Sequence, residues 1–144
     1  EYIDDILYII GSLQFKRKAI SQSLWQLFPL LFRAATSWAK DSLSDIVPIF
    51  ENYIAYGNKT FLDNSNNKSG VPTNQRNIDR IMQLCTSILK DKTANEIDVA
   101  RTMQLLECML EYCSRGTLGQ RILQQCIVLH VPWLQISCNP SIHT

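Results

Sequence analysis

Residues 24–56 read LWQLFPLLFRAATSWAKDSLSDIVPIFENYIAY. Two apolar runs flank the polar segment Lys40-Asp41-Ser42, and each run carries one proline, Pro29 and Pro48. On a helical wheel at about 100° per residue, Leu24, Leu27, Phe28, Leu31, Phe32, Ala34, Ala35, Trp38 and Ala39 cover more than half of the first helix, with Trp25 at one edge. Gln26, Pro29, Arg33 and Ser37 share the remaining strip. A lone surface helix needs one apolar stripe, whereas a helix this apolar needs neighbours on several sides, as a middle layer of a stack has. Pro29 falls on the polar strip, so the hydrogen bond it lacks faces solvent and the helix bends there. A membrane span is the rival reading, but Gln26 interrupts the run and Arg33 stops it far short of the roughly 20 residues a bilayer requires.

Serine chemistry and glycine set the ends of this pair. Ser21 or Ser23 caps the first helix and Ser42 or Ser44 the second, which Gly57 ends. Pro48 comes too late for a first-turn proline if that helix starts at Leu43, so it starts near Asp45 or is kinked.

Working outward, residues 1–13 (EYIDDILYIIGSL) form a helix with Ile3, Ile6, Leu7 and Ile10 on one face and Asp4 and Asp5 favouring its N-terminal end. It suits the second helix of a repeat, and the chain reads as a piece of a longer protein. Residues 14–21 are expected as a loop, in which Lys16-Arg17-Lys18 is a solvated turn, too short for a localisation or phosphate site. Residues 57–74, rich in Asn, Ser, Gly and Pro, read as a flexible insertion loop.

Residues 75–116 form a second hairpin. Its first helix has Ile78, Ile81, Met82, Cys85, Ile88 and Leu89 as the core face, and its second has Val99, Met103, Leu106, Met109, Leu110 and Cys113. Residues 117–134 begin a further repeat, and 135–144 are an irregular tail. Paired helices repeating every 40 or so residues are the HEAT and armadillo length. The expected fold is all-α, an α-α superhelix of such repeats.

The composition is that of a globular protein: 46% hydrophobic and 19% charged. A net charge of +1 gives no general pull toward nucleic acid or anionic membrane. The five cysteines, Cys85, Cys108, Cys113, Cys126 and Cys138, include no CxxC pair, and His130 and His143 have no metal-ligand spacing. They are read as reduced, buried thiols, which makes the glycosylation-like triplets at Asn58 and Asn67 accidental. No phosphate loop, dinucleotide fingerprint, HExxH or GxSxG is present, so no catalytic, cofactor-binding or metal residues are assigned.

What remains is surface. Glu96, Gln104, Glu107 and Glu111 lie together opposite the buried arc of their helix. An ordinary solvated face accounts for them; so does a cargo-facing acidic patch on the inner wall of a solenoid, where Glu107 and Glu111 repel unless a cation approaches.

The wording of 24–56 is specific. Trp25-Gln26-Leu27-Phe28-Pro29-Leu30, then Asp45-Ile46-Val47-Pro48-Ile49 with Glu51-Asn52-Tyr53, resembles the importin-β family of nuclear transport receptors, of importin-7/importin-8 type. MQLLECMLEYCSRG, residues 103–116, resembles the same family, while residues 64–74 and 138–144 depart from it. The resemblance implies a HEAT-repeat receptor that carries protein cargo, typically basic, through nuclear pores. Ran control would act through N-terminal repeats, and Phe-Gly nucleoporins would insert between outer helices, with Trp25 the candidate groove residue. It implies shuttling between nucleus and cytoplasm, and neither direct nucleic-acid binding nor membrane insertion. A HEAT or armadillo scaffold outside transport, such as a phosphatase regulatory or vesicle-coat subunit, is the alternative; a helical enzyme ranks below both.

Overall fold

Ser21 opens the first helix of the hairpin: its hydroxyl accepts a hydrogen bond from the Leu24 N–H at 3.3 Å, satisfying one of the donors a helix start leaves bare. The computed structural model describes residues 2–62, 76–113, 120, 123, 124, 127 and 128. Within them lie α1 (Tyr2–Arg17), α2 (Gln22–Arg33), α3 (Leu43–Leu62), α4 (Asn77–Lys90) and α5 (Glu96–Cys113). A π-helical turn, Ala34–Trp38, and a 3-10 turn, Lys40–Ser42, join α2 to α3. Residues 120, 123, 124, 127 and 128 are helical too, and no strand occurs among the described residues.

α2 runs antiparallel to α3, pairing Phe28 with Phe50 and, further along, Trp25 with Gly57. The seam is aromatic. Phe28 is buried with its ring centroid 5.1 Å from Tyr53, 5.6 Å from Phe50 and 6.1 Å from Phe61. Tyr53 is buried and donates its hydroxyl to the Leu24 carbonyl, as a buried phenol requires. Both prolines are exposed within their helices, as the polar strip carrying Pro29 implies.

The second helices stack on one another. α3 packs most extensively on α5 and also on α1, while α4 packs on α5 and more lightly on α3. A Cβ on Gly11 would lie 3.8 Å from Ile49, and Gln14 bonds to Asn52, so α1 and α3 ascend in parallel. One continuous core of buried side chains runs from Leu7 to Cys113. The fold is an all-α superhelical stack of HEAT/armadillo-type repeats.

Several boundaries and faces differ from the sequence reading. The expected loop at 14–21 is helical through Arg17, because Gln14 is buried against α3; Lys18, at φ 48°, then turns the chain out of the helix. Gly57 does not end α3, which continues to Leu62 so that Phe61 can join the aromatic seam. Trp38 is 66% exposed rather than core, since the Ala39 N–H bonds to the Ala34 carbonyl five residues back. That wider turn shifts every later residue around the axis. Ile6 is exposed, and the buried face of α1 is Leu7, Ile10 and Gln14. On α5 the buried set includes Thr102 and Leu105, with Val99, Met103 and Leu110 only partly covered. Within the stretch read as a second hairpin, residues 75–116, α4 and α5 pack on one another. The sequence readings for 63–74, for most of 117–134 and for 135–144 lie outside the described residues, with Cys126, Cys138, His130 and His143.

Candidate interaction surfaces

The acidic face belongs to α5. Asn95 starts that helix: its Oδ1 accepts from the Asp98 N–H at 2.8 Å and its Nδ2 donates to the Asp98 carboxylate at 2.8 Å. From there Glu96, Gln104, Glu107 and Glu111 are all exposed, on the side away from Leu105, Leu106 and Met109. The stripe is not purely acidic, because Arg101 donates to Gln104 at 3.1 Å. Arg101 also attracts Glu51 of α3, whose half-buried carboxyl is nevertheless pushed above its usual range by burial.

Beside Glu51 the Cys108 thiol donates to the Glu51 carbonyl at 3.8 Å. Burial, then the nearby charges of Glu51, Cys113 and Glu111, push that thiol up to about 12. Burial alone pushes Cys113 to about 11. Thiols so reluctant to ionise are packing groups rather than nucleophiles. Among the described residues no group of His, Cys, Asp and Glu is placed to hold a metal ion, and no helix is long and apolar enough to cross a membrane.

Trp25 is half-buried. Its indole centroid lies 5.1 Å from Tyr53 and 6.4 Å from Phe28, with the far edge of the ring over Gly57 and near Ile20. A small cavity of about 180 Å³ lies between the α2–α3 and α4–α5 turns, with Lys40 and Asp91 in its lining. Asp91 is occupied in closing its own turn. It accepts from the Thr93 hydroxyl at 2.6 Å and the Thr93 N–H at 2.8 Å, bonds that hold its carboxyl below the usual range.

A larger groove, about 370 Å³, runs between α1 and α3. Leu7 and Ile49, both buried, form its floor with Gly11, while Tyr8, Phe15 and Pro48 are exposed along its rim. Asp4 and Asp45 lie at one end and Asn52 at the other, where Asn52 donates to the Gln14 amide oxygen at 3.2 Å. The sequence reading missed this site. Its signal was Phe15 and Tyr8 at seven-residue spacing with a glycine between them, inside a stretch whose Gly, Ser, Lys and Arg resembled a helix end and loop.

No family model matches the chain, and no solved structure matches it. Curated proteins similar to the chain include two importin homologs. A probable importin-7 homolog of Dictyostelium discoideum is 24% identical over 143 residues, which is 99% of this chain and 12% of that protein. An importin beta-like SAD2 homolog of Arabidopsis thaliana is 24% identical over 120 residues, 83% of this chain and 11% of that protein. These matches support a relationship to the importin-β family, in line with the resemblance read at residues 24–56 and 103–116. The chain spans about an eighth of the length of the curated relatives it matches.

Proposed function

We propose that this chain is a section of a nuclear transport receptor and contributes protein-binding surface to it rather than catalysis. The observation that carries the reading is the similarity to an importin-7 homolog along 99% of the chain, on a stack of helical repeats. In this reading the receptor carries basic protein cargo, such as ribosomal proteins or histones, through nuclear pores and shuttles between nucleus and cytoplasm. Glu96, Glu107 and Glu111 form the cargo-facing patch, where each exposed carboxylate contributes about 0.2–1 kcal/mol in a salt-sensitive way. Trp25, with part of its ring uncovered beside α3, is the residue offered to Phe-Gly nucleoporins. Ran control acts through repeats outside these residues.

The test is capture of the chain on immobilised Phe-Gly nucleoporin and, separately, on an immobilised core histone at low and moderate salt. Trp25→Ala should weaken the first and Glu107→Lys/Glu111→Lys the second, with Tm unchanged for the double variant. Histone binding that is indifferent to the double variant would assign the acidic face to plain solvation. Cargo binding without any Phe-Gly binding would favour a scaffold outside transport.

A further inference from the structure

The groove between α1 and α3 is a second candidate binding surface, and its features do not serve the fold. Gly11 stands in mid-helix, where glycine costs about 1 kcal/mol relative to alanine. Its backbone does not require glycine, because only Lys18 among the described non-glycine residues has a positive φ and no left-handed φ is recorded at Gly11. Close packing does not require it either, since an added Cβ would meet only Ile49, at the ordinary contact distance of 3.8 Å. Gly57, by contrast, is filled by the Trp25 ring. The effect of glycine at position 11 is to leave the groove floor open.

Tyr8 and Phe15 stand 77% and 63% exposed at the rim, an unusual display of two large rings flanking one gap. The charged groups in the lining are Asp4 and Asp45, and neither lysine nor arginine lines it. Asp45 is exposed at the mouth, on the first turn of α3. An occupant must therefore bring an aliphatic side chain for the gap over Gly11 and a cation for the Asp45 end. At the other end Asn52 lies in the lining, with its Nδ2 already donating to the Gln14 amide oxygen.

We propose that the α1–α3 groove binds a peptide segment of a partner protein, one that places an aliphatic side chain over Gly11 and a lysine or arginine beside Asp45. The inference rests on the protein-binding role proposed above, but it uses a surface separate from both the Glu107 stripe and Trp25. The acidic end gives the site its sign, and the aromatic rim gives it apolar area.

The probe is a fluorescein-labelled peptide, Lys-Ser-Ile-Leu-Ser-Lys, titrated against the full 144-residue chain by anisotropy. Controls replace both lysines by glutamate or the Ile-Leu pair by serine. The expected result is saturable binding of the parent peptide, weakened about tenfold or more by the serine control. The glutamate control should not bind. Gly11→Leu should fill the gap and abolish binding. Tyr8→Ser/Phe15→Ser removes the rim without touching a buried residue, and should weaken binding even if Gly11→Leu perturbs the helix. Asp45→Asn should weaken it by about 2–5-fold at low salt.

Equal binding by Gly11→Leu with native circular dichroism, or equal binding of the glutamate control, overturns the proposal. So does a self-associated chain in sedimentation that becomes monomeric in Gly11→Leu, which would make a second copy the occupant. A parent peptide that shows no saturable binding, with histone capture still dependent on Glu107, leaves the transport reading standing and removes this one. Peptide binding in the groove without Phe-Gly capture does the reverse.

Discussion

A Cβ on Gly57 would stand 2.5 Å from Cζ2 of Trp25 and 2.8 Å from its Cη2. The indole occupies the space that any other residue in the middle of α3 would fill, and Tyr53 and Phe28 hold it from the neighbouring turns. This explains why a glycine can sit inside a 20-residue helix that continues well beyond it.

The two helical glycines should therefore respond in opposite directions. Gly57→Ala should destabilise by about 1–3 kcal/mol, because overpacking outweighs the better helix propensity. Gly11→Ala should stabilise by about 0.5–1 kcal/mol, because its Cβ meets only Ile49 at 3.8 Å. Thermal melts of both variants check the signs. A stabilising Gly57→Ala would mean that the indole is free to swing aside.

The aromatic seam should dominate stability. Phe28→Ala, at a buried ring meeting four others, should cost about 3–5 kcal/mol. Tyr53→Phe keeps the ring but leaves the buried Leu24 carbonyl without its hydroxyl donor, and should cost about 1 kcal/mol. Urea titrations separate the two, with the smaller loss expected at an unchanged slope.

The described thiols should be slow to alkylate. Cys108, with its thiol pushed to about 12 by burial and surrounding negative charge, carries on the order of a thousandfold less thiolate at pH 8 than an ordinary cysteine. Iodoacetamide labelling read by mass spectrometry should leave Cys108 and Cys113 unmodified in the native chain and label both after unfolding. Rapid native labelling of Cys108 would show that the α3–α5 contact opens readily.

Glu51 should give a pH-dependent gain on neutralisation. Burial raises its carboxyl in the folded chain, and the Arg101 attraction only partly opposes this. The protonated form is thus favoured by folding: its stability contribution is present below the unfolded pKa and lost as pH rises through the folded one. At pH 7 Glu51→Gln should stabilise by less than about 1 kcal/mol, given the partial exposure. The gain should vanish at acidic pH, where both side chains are neutral. Melts at pH 7 and pH 4 give the comparison, and a loss at pH 7 would make the Arg101 attraction the larger effect.

The helical hairpins were legible because apolar spacing and polar turns are local signals. Of the arc drawn for the first helix, Leu24, Phe28, Leu31, Ala34, Ala35 and Ala39 are buried, while Leu27 and Phe32 are only partly covered. What failed was set by neighbours. Gln14 reads as polar and loop-like until α3 supplies Asn52 beside it, and Gly57 reads as a helix stop until Trp25 covers it. Trp38 reads as core until a π-turn shifts the register by one residue, a change no wheel anticipates. The exposed glutamates of α5 were correctly separated from its apolar side, although Thr102 and Leu105 widen the buried arc beyond the one drawn. The α1–α3 groove was invisible because its two walls are far apart in sequence and each looks ordinary alone.

The uneven seating of the second helices has a mechanical consequence. Between α3 and α5 the joint is broad and closed by side chains such as Leu105, Leu106 and Met109. Between α1 and α3 it rests on Leu7, Ile10 and one amide pair beside an open gap over Gly11. Of these two joints the α1–α3 one has the less completely filled core to oppose a tilt between neighbouring repeats. A segment wedged into the α1–α3 groove would act as a shim, setting the tilt between the two repeats and so the curvature of what is stacked beyond them.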